Sequence, residues 1–293
     1  MPYPIVFFFY RIAYYLVRIA FFFYYRISFE GRENIPKGTA VIFASNHRSY
    51  LDPVLVSMAA PHPFNFIAKE PLFRNPIFGN FIRFMGAFPT ANSKDPSYDM
   101  LTEATKRLEK RRHLTIFPEG TRTYNGKMKR FHKGAFYLAE ALKLDILPIL
   151  LYGNNKIIAK AQPFNIRKGI IYTEILPRIP LDDLSFGSTY QERTKRISAY
   201  MKEVYARICR EQNTTDNPAF YEALIQNYIY KGPVVEWYIR IKVKMEKNYR
   251  LFNRLIPVQG QITDIGCGFG PLCYMLSLLS EDREILGIDY DED

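Results

Sequence analysis

The sequence is poor in the residues from which disulfide frameworks and metal sites are built. Its 293 residues include three cysteines, four histidines and one tryptophan. Three cysteines cannot form a disulfide framework, and Cys209, Cys267 and Cys273 lack the paired spacing that is typical of metal ligands. The sequence therefore argues against a secreted disulfide-rich protein and against a zinc finger. It favours a reducing compartment, and we predict no metal site.

The sequence also lacks the uninterrupted apolar run that a simple transmembrane helix requires. Residues 3–27 come nearest, because they contain twelve Phe or Tyr, but Arg11, Arg18 and Arg26 interrupt them. On one helix these arginines share a side, and a central arginine costs about 2.5 kcal/mol or more in a bilayer. No small-residue cleavage site of a secretory signal follows. We predict that residues 1–27 form a helix lying in the membrane interface; a helix buried against the next domain is the alternative.

Acidic residues are scarce over most of the chain. The net charge is +11, but residues 261–293 carry one basic and eight acidic side chains, or −7, so residues 1–260 carry +18. A body this basic predicts an anionic partner, which could be nucleic acid, a membrane surface or a phosphorylated substrate. The aromatic N-terminal segment favours the membrane. We therefore predict a lipid bilayer as partner and no nucleic acid.

Apolar residues make up 48% of the chain, which is enough to build a core. Apolar runs of strand length alternate with segments of helical period, which predicts an α/β domain. We expect strands at 40–44, 66–68, 114–117, 146–151 and 169–175, and helices at 52–59, 76–85, 97–111, 134–144 and 190–211. We predict a membrane-interface helix at 1–27, a main domain at 28–212, a helical linker at 213–259 and a β-α-β fragment at 260–293.

A histidine and an aspartate follow the first predicted buried strand, in the segment NHRSYLD. A histidine can take the proton of an attacking hydroxyl near neutral pH, and a carboxylate on its other nitrogen fixes the tautomer. A turn followed by the first turn of a helix could bring His47 and Asp52 together. The alternative is that Asp52 caps the helix and His47 is an ordinary turn residue.

A second motif, the segment FPEGTR, follows the predicted strand at 114–117. Arg122 can bind a phosphate bidentately, and Glu119 can hold a sugar or glycerol hydroxyl. Gly120 lets the backbone approach a ligand closely, and it shapes the loop together with Thr121. Lys133 then stands at the start of a helix whose N-terminus favours anions. The alternative for Glu119 is a salt bridge to Arg122.

Together the two motifs resemble the signature of the glycerolipid acyltransferases, the 1-acylglycerol-3-phosphate acyltransferase family. The resemblance covers roughly residues 28–210. It implies a mixed sheet flanked by helices, with His47 as general base and Asp52 as its orienting partner. In that family the base deprotonates an acceptor hydroxyl, which attacks an acyl thioester carried by coenzyme A or acyl carrier protein. No cofactor and no metal are required.

Further blocks also resemble this family. The segment AKEPLF resembles the stretch of that family whose lysine faces the acceptor phosphate, which makes Lys69 a candidate. The segment around Pro148 resembles the block where proline shapes the acyl side of the site. The block GAFPTAN ends in Asn92 where arginine is usual, and Lys94 offers only a point charge in its place. We therefore expect a lysophosphatidic-acid-like acceptor in phospholipid biosynthesis at the cytoplasmic face of a membrane. A lipid acceptor without the phosphate, or an aromatic one, stays open.

The segment DIGCGFG runs from a predicted strand into a predicted helix, and a second strand ends at Asp289. Gly266, Gly268 and Gly270 would let a cofactor approach the backbone, and Asp289 would hold ribose hydroxyls. The segment resembles the first motif of class I S-adenosylmethionine methyltransferases, which implies a Rossmann-like β-α-β unit. The chain stops four residues after Asp289. We therefore expect a truncated domain that binds S-adenosylmethionine only when completed; a plain tight turn is the alternative.

Three other functions stay open beside an acyltransferase alone. The chain could be the N-terminal part of a bifunctional acyltransferase and methyltransferase, or a methyltransferase whose first half delivers lipid. It could instead be a basic membrane- or nucleic-acid-binding module that retains an inactive acyltransferase scaffold. The complete His47/Asp52 and Glu119/Arg122 sets argue against lost activity.

Overall fold

The computed structural model describes residues 3–60, 64–91, 99–109, 113–123, 128–154, 170–212, 218–246, 248–280 and 282–290. The chain divides into two compact units, Met1–Glu203 and Val204–Asp293. The division falls inside a helix that spans Tyr190–Gln212.

The described part of the first unit alternates strands and helices, as the sequence predicts. Its strands are β1 (Arg26–Glu30), β2 (Ile42–Ser45), β3 (Phe64–Ala68), β4 (Ala87–Pro89), β5 (His113–Ile116), β6 (Ile146–Tyr152) and β7 (Ile170–Ile175). Its helices are α1 (Tyr3–Tyr24), α2 (Asp52–Ser57), α3 (Pro76–Phe84), α4 (Met100–Leu108), α5 (Gly134–Leu142) and α6 (Tyr190–Gln212). Short 3-10 helices lie at Arg32–Asn34, Glu70–Phe73 and Leu184–Phe186.

These seven strands form one mixed sheet in the order β1-β7-β6-β2-β5-β3-β4. Neighbouring strands are parallel except for the β6–β7 pair, so β1 and β7 run opposite to the other five. The carboxyl ends of β2, β3, β4, β5 and β6 therefore meet at one edge of the sheet, where α/β proteins place their ligands. The predicted α/β fold, with a mixed sheet flanked by helices, is confirmed.

The core of this unit lies around the central strands. β6 is buried along its whole length, and β2 is buried at every position. Phe43, Phe64 and Leu147 are at most 1% exposed, and Leu55 and Val56 of α2 pack into the same cluster. Continuous apolar runs are expected of strands that are covered on both faces. Burial of these strands holds their ends, and the polar loops that follow them, in place.

Helix α1 has two apolar faces. Tyr10, Val17 and Phe21 pack against the core cluster, and Tyr14 is 8% exposed. The opposite face is open, and its exposed apolar side chains are Phe8, Ile12, Tyr15, Leu16, Ile19 and Phe23. The predicted interfacial helix and its buried alternative thus each describe one side of α1.

One detail of the N-terminal prediction is wrong. Arg26 does not share the helix with Arg11 and Arg18, because α1 ends at Tyr24 and Arg26 begins β1. There it pairs with Ile170 of β7. The segment RISFE alternates exposed and half-buried residues, which suits a strand at the edge of a sheet. Among the described residues, none of the helices combines the length and apolar character needed to cross a membrane.

The second unit is built on two parallel strands, β8 (Gly260–Ile265) and β9 (Arg283–Ile288). Its helices are α7 (Pro218–Gln226), α8 (Pro233–Met245), α9 (Tyr249–Leu255) and α10 (Pro271–Leu279), with a 3-10 helix at Ile229–Lys231. One core joins Leu224 and Tyr228, Ile239 of α8 and Leu276 of α10. Residues of the predicted linker and of the predicted β-α-β fragment therefore share one core.

Candidate active site

The histidine and aspartate singled out by the sequence lie together at the carboxyl edge of the sheet. His47 follows β2, and Asp52 is the first residue of α2. His47 Nδ1 lies 2.7 Å from Asp52 Oδ2. The aspartate side chain is fully buried, while the histidine side chain keeps 19% of its surface exposed. The turn between strand and helix thus forms the predicted pair.

Asp52 holds its position through several hydrogen bonds. Its Oδ2 also accepts the backbone N–H groups of Arg48 at 2.6 Å and Ser49 at 2.9 Å. Its Oδ1 accepts the side-chain N–H of Asn154. Leu51, and not Asp52, occupies the N-cap position of α2. The Asp52 side chain instead accepts bonds from the turn that precedes the helix. A carboxylate bonded in this way offers the histidine one fixed acceptor.

The bond to Asp52 decides which nitrogen of His47 can act as a base. A carboxylate accepts hydrogen bonds only, so Nδ1 carries the proton and Nε2 keeps its lone pair. The ring of Phe117 stacks on the imidazole, with centroids 4.3 Å apart and planes at 22°. The hydrogen bond to Asp52 therefore fixes the imidazole of His47 within its plane, and the stacked ring of Phe117 supports one of its faces.

Glu119 ties the loops around the histidine to one another. Its Oε1 accepts the backbone N–H of His47 and its Oε2 that of Lys129, each at 2.8 Å. The backbone N–H of Thr123 donates to the carbonyl of His47 at 3.2 Å. Burial raises the pKa of Glu119, and the two backbone hydrogen bonds oppose that rise. Three loop segments are thereby fixed around one imidazole.

The other residues of the second motif lie around this carboxylate. The Arg122 guanidinium stacks on Tyr50, with Cζ 3.3 Å from the ring centroid, and Lys129 Nζ donates to the Arg122 carbonyl at 3.3 Å. Gly120 has φ +63, and a Cβ there would lie 3.1 Å from the ring of His132. Thr121 is exposed. Glu119 is 1% exposed, and the hydrogen bonds given above join its carboxylate to backbone amides. Its predicted binding of an acceptor hydroxyl stays a prediction.

The structure places the other three predicted binding residues on separate elements. Lys69 is exposed directly after β3, at the same sheet edge as His47 but two strands away. Lys133 is exposed at the start of α5, and Pro148 is buried in β6 opposite Ala44. Across the described ranges, no hydrogen bond or ion pair joins either lysine side chain to His47. Asn92 and Lys94 lie outside the described residues.

Two asparagines at the site escaped the sequence analysis as functional residues. Asn46 is 1% exposed; its side chain donates to the Leu151 carbonyl at 2.9 Å and accepts the Leu151 N–H at 2.8 Å. It thereby fixes the end of β2 against β6. Asn154, fully buried, binds Asp52 from the end of β6. The only sequence signal for either is a polar residue placed one or two positions after a buried strand.

The glycine motif of the second unit forms the predicted turn between β8 and α10. Gly266, Gly268 and Gly270 all have positive φ, between 54° and 75°. The Gly268 N–H donates to the Asp289 carboxylate, so these two residues are brought together. The predicted binding of S-adenosylmethionine at this turn stays a prediction.

Comparison with known proteins finds a family match within the first unit. The family described as Acyltransferase matches residues 26–152, which do not reach the second unit. A 1-acyl-sn-glycerol-3-phosphate acyltransferase of Borreliella burgdorferi is 31% identical over 189 residues, which are 64% of this chain and 70% of that protein. The chloroplastic 1-acyl-sn-glycerol-3-phosphate acyltransferase of Arabidopsis thaliana is 36% identical over 137 residues, or 46% of this chain.

A solved structure agrees with these sequence matches. The crystal structure of the 1-acyl-sn-glycerophosphate (LPA) acyltransferase PlsC from Thermotoga maritima matches with a TM-score of 0.53 and 27% identity, over 62% of this chain and 72% of that one. The chain spans only 38% and 40% of the length of the Arabidopsis and Brassica napus relatives. Because the bacterial relative matches over most of its length and the solved fold agrees, the chain belongs to the family of the 1-acyl-sn-glycerol-3-phosphate acyltransferases.

Proposed function

We propose that the chain transfers a fatty acyl group from an acyl thioester to a hydroxyl of a lysophosphatidic-acid-like acceptor. The observation that carries this proposal is the His47–Asp52 pair, held at 2.7 Å with Asp52 fully buried and His47 partly exposed. A histidine oriented in this way presents Nε2 as a general base. The names of the bacterial and plant relatives support the acceptor.

In the proposed reaction His47 moves one proton and forms no covalent bond. Nε2 accepts the acceptor's hydroxyl proton while the hydroxyl oxygen attacks the thioester carbonyl carbon. The Asp52 carboxylate stabilises the imidazolium that results. The carbon–sulfur bond then breaks, and the departing thiolate takes the proton from Nε2. An ester and a free thiol leave, and the imidazole is neutral again.

Cations around the sheet edge support an acceptor that carries a phosphate. Arg122 follows β5 and Lys69 follows β3, and both strands end at the edge that holds His47. Lys133 occupies the N-cap position of α5, which follows the same loop. We assign the acceptor head group to these three side chains, with Gly120 and Thr121 shaping the loop between them and Pro148 lying on the acyl side.

Two exposed apolar surfaces of the first unit support action at a membrane surface. The outer face of α1 is one. Helix α3 provides the other, because its small residue Gly79 packs inward on Phe73 while Ile77, Phe78, Phe81 and Phe84 point outward. Exposed apolar faces of this kind are typical of helices that lie in a bilayer interface. We place the protein at the cytoplasmic face, where its three cysteines stay reduced.

The test is acyl transfer from labelled acyl-coenzyme A and from acyl carrier protein to lysophosphatidic acid. Wild-type protein should transfer label from at least one donor. His47→Ala should lower kcat by about 10² to 10⁴, the usual contribution of a general base. Asp52→Asn should lower kcat in the same direction, because the amide no longer holds the Nδ1 proton. Asp182→Asn, at an exposed aspartate of the same unit, is the matched control and should keep wild-type rates.

Parallel reactions with acceptors lacking the phosphate test the head-group assignment. Neutral lysolipids and aromatic hydroxylated lipids should react more slowly than lysophosphatidic acid if Arg122, Lys69 and Lys133 bind a phosphate. Preference for a neutral acceptor would overturn that assignment while leaving acyl transfer intact. Full activity of His47→Ala would overturn the general-base proposal.

A further inference from the structure

Helix α8 of the second unit carries apolar residues on two opposite sides. Val235, Ile239 and Val243 face the core of this unit, and Ile239 is fully buried. A second set lies within about 100° of arc on the other side of the helix. Its members are all exposed, between 37% and 80% of their surface, and we call them the outward stripe of α8: Val234, Trp237, Tyr238, Ile241 and Met245.

Cations border this outward stripe along its length. Arg240 and Lys244 lie on one side of it and Lys242 on the other, at 100° per residue. Lys242 Nζ lies 5.8 Å from the ring centroid of Tyr238. The only acidic residue within Pro233–Met245 is Glu236, which pairs with Arg240 at 2.7 Å. Lys242 Nζ also lies 3.8 Å from Glu246 Oε1, directly after the helix. From Lys231 to Lys247 the chain carries five basic side chains and two acidic ones, or +3.

This combination distinguishes a lipid surface from a protein partner. Protein interfaces are enriched in aromatic residues but depleted in lysine. Helices that lie in a membrane interface combine aromatic and aliphatic residues on one face with lysine and arginine beside them, which contact lipid phosphates. Tryptophan and tyrosine are themselves enriched at the level of the lipid head groups. The outward stripe of α8 has all of these features.

We propose that the outward stripe of α8 is a membrane-docking surface that inserts into the interface of an anionic bilayer. The apolar side chains enter the boundary between head groups and acyl chains, and Arg240, Lys242 and Lys244 bind lipid phosphates. The second unit thus has a lipid contact of its own. This inference goes beyond the proposed acyl transfer and does not depend on it.

The chain supplies its own reporter, because Trp237 is its only tryptophan. Vesicles of phosphatidylcholine with phosphatidylglycerol, added to the full chain, should shift the Trp237 emission to shorter wavelength. Phosphatidylcholine brominated on its acyl chains should quench the emission. Vesicles of phosphatidylcholine alone should give a weaker effect at the same lipid concentration. The signal reports α8 itself, even while α1 also binds the vesicle.

Two variants test the two halves of the proposal. Val234→Asp places a charge at an 80% exposed position in the first turn of α8, where an acid suits the helix dipole. It should abolish the emission shift. Lys244→Gln should weaken the vesicle binding measured by Trp237 about fivefold. Leu286→Asp adds the same charge at a 58% exposed apolar residue of β9 and should leave the shift unchanged.

Two outcomes would overturn the proposal. In the first, the protein sediments with anionic vesicles while the Trp237 emission stays unshifted and is not quenched. In the second, the emission shifts with rising protein concentration without lipid, which would show that a second copy covers the stripe. If Trp237 enters the bilayer but no acyl transfer is found, the inference stands and the proposed function fails.

Discussion

At the scale of single residues, the candidate site depends on how Asp52 is held. The carboxylate has no exposed surface, and it accepts bonds from His47, two backbone amides and Asn154. Buried polar groups of this kind are stable only when each partner is present. Asn154 follows β6, so through Asp52 it links that strand to His47, the proposed general base.

We predict that Asn154→Ala lowers kcat while leaving KM nearly unchanged. The loss should reach about 100-fold if the carboxylate shifts by an ångström, since catalytic groups tolerate little displacement. Asn154→Asp should be worse than alanine, because a second buried carboxylate beside Asp52 favours a shared proton over the ionised pair. Initial rates at several acceptor concentrations would separate kcat from KM.

Asn227→Ala serves as the control for this prediction. That side chain is exposed, and it donates to the carbonyls of Ala223 and Leu224 in the preceding helix of the second unit. Equal activity of wild type and Asn154→Ala would show that Asn154 has no positioning role. A rise in KM at constant kcat would instead assign Asn154 to substrate binding.

A second residue-scale prediction concerns a thiol of the second unit. Burial, with a smaller contribution from the bond to Asp264, raises the pKa of Cys273 to about 12. At pH 8 the reactive thiolate is then about one part in ten thousand. Iodoacetamide should therefore label Cys273 more slowly in the folded protein than in the protein unfolded by urea, as peptide mass spectrometry can measure.

Replacing the neighbouring acid tests the cause of this protection. Asp264→Asn removes a negative charge 3.3 Å from Cys273 Sγ, so the pKa should fall and labelling should accelerate. Fast labelling of Cys273 in the folded wild type at pH 8 would contradict the prediction. The urea-unfolded chain controls for the intrinsic reactivity of the thiol.

At the scale of elements, helix α3 shows why a glycine is needed inside a helix. A Cβ on Gly79 would lie 2.7 Å from the carbonyl oxygen of Phe73. Gly79→Ala should therefore destabilise the protein by about 1–3 kcal/mol, as overpacking does. Gly134 begins α5 and has no atom within 4 Å of such a Cβ, so Gly134→Ala should stabilise by about 0.4–1 kcal/mol. Urea denaturation of both variants measures the difference.

The two glycines control for one another because both lie in helices of the same unit. A stability loss of similar size in both variants would mean that the contact with Phe73 is not its cause, because Gly134 has no such contact. Unchanged stability of Gly79→Ala would mean that the 3-10 helix at Glu70–Phe73 moves away at little cost.

The sequence predicted most elements because their patterns are local. Strands β5, β6 and β7 differ from their predicted ranges by at most one residue at either end, and β2 differs by at most two. Strand β1 was missed because RISFE follows an aromatic run and reads as its continuation. Its conformation depends on pairing with β7, more than 140 residues away. Strand β4 has three residues, too few to show alternation.

In the candidate site, too, local contacts could be predicted from the sequence and contacts between distant segments could not. Motif and spacing indicated His47 and Asp52, because five residues can span one turn. Nothing local indicated that Asn154 would reach Asp52 across 102 residues of chain, or that Glu119 would bind backbone amides. Such contacts arise from the sheet order, which brings the ends of β2, β5 and β6 together.

At the scale of the whole molecule, the charge and the exposed apolar surfaces both favour the membrane that we propose as partner. Residues 1–260 carry +18, and the outer faces of α1, α3 and α8 are apolar. Coulomb attraction draws a basic protein toward an anionic bilayer and is screened by salt, whereas apolar burial is not. The two contributions can therefore be separated by ionic strength.

We predict that binding to phosphatidylglycerol-containing vesicles weakens steeply as salt is raised but does not vanish. The Debye length falls from about 10 Å at 0.1 M to about 3 Å at 1 M, which removes most of the long-range attraction. The binding that persists should equal the binding to neutral phosphatidylcholine vesicles, because both then report apolar insertion alone. Sedimentation with vesicles over a series of salt concentrations measures both the binding at low salt and the binding that persists at 1 M. Salt-independent binding would exclude the basic surface as the source of attraction, and complete release at 1 M would exclude insertion of the apolar faces.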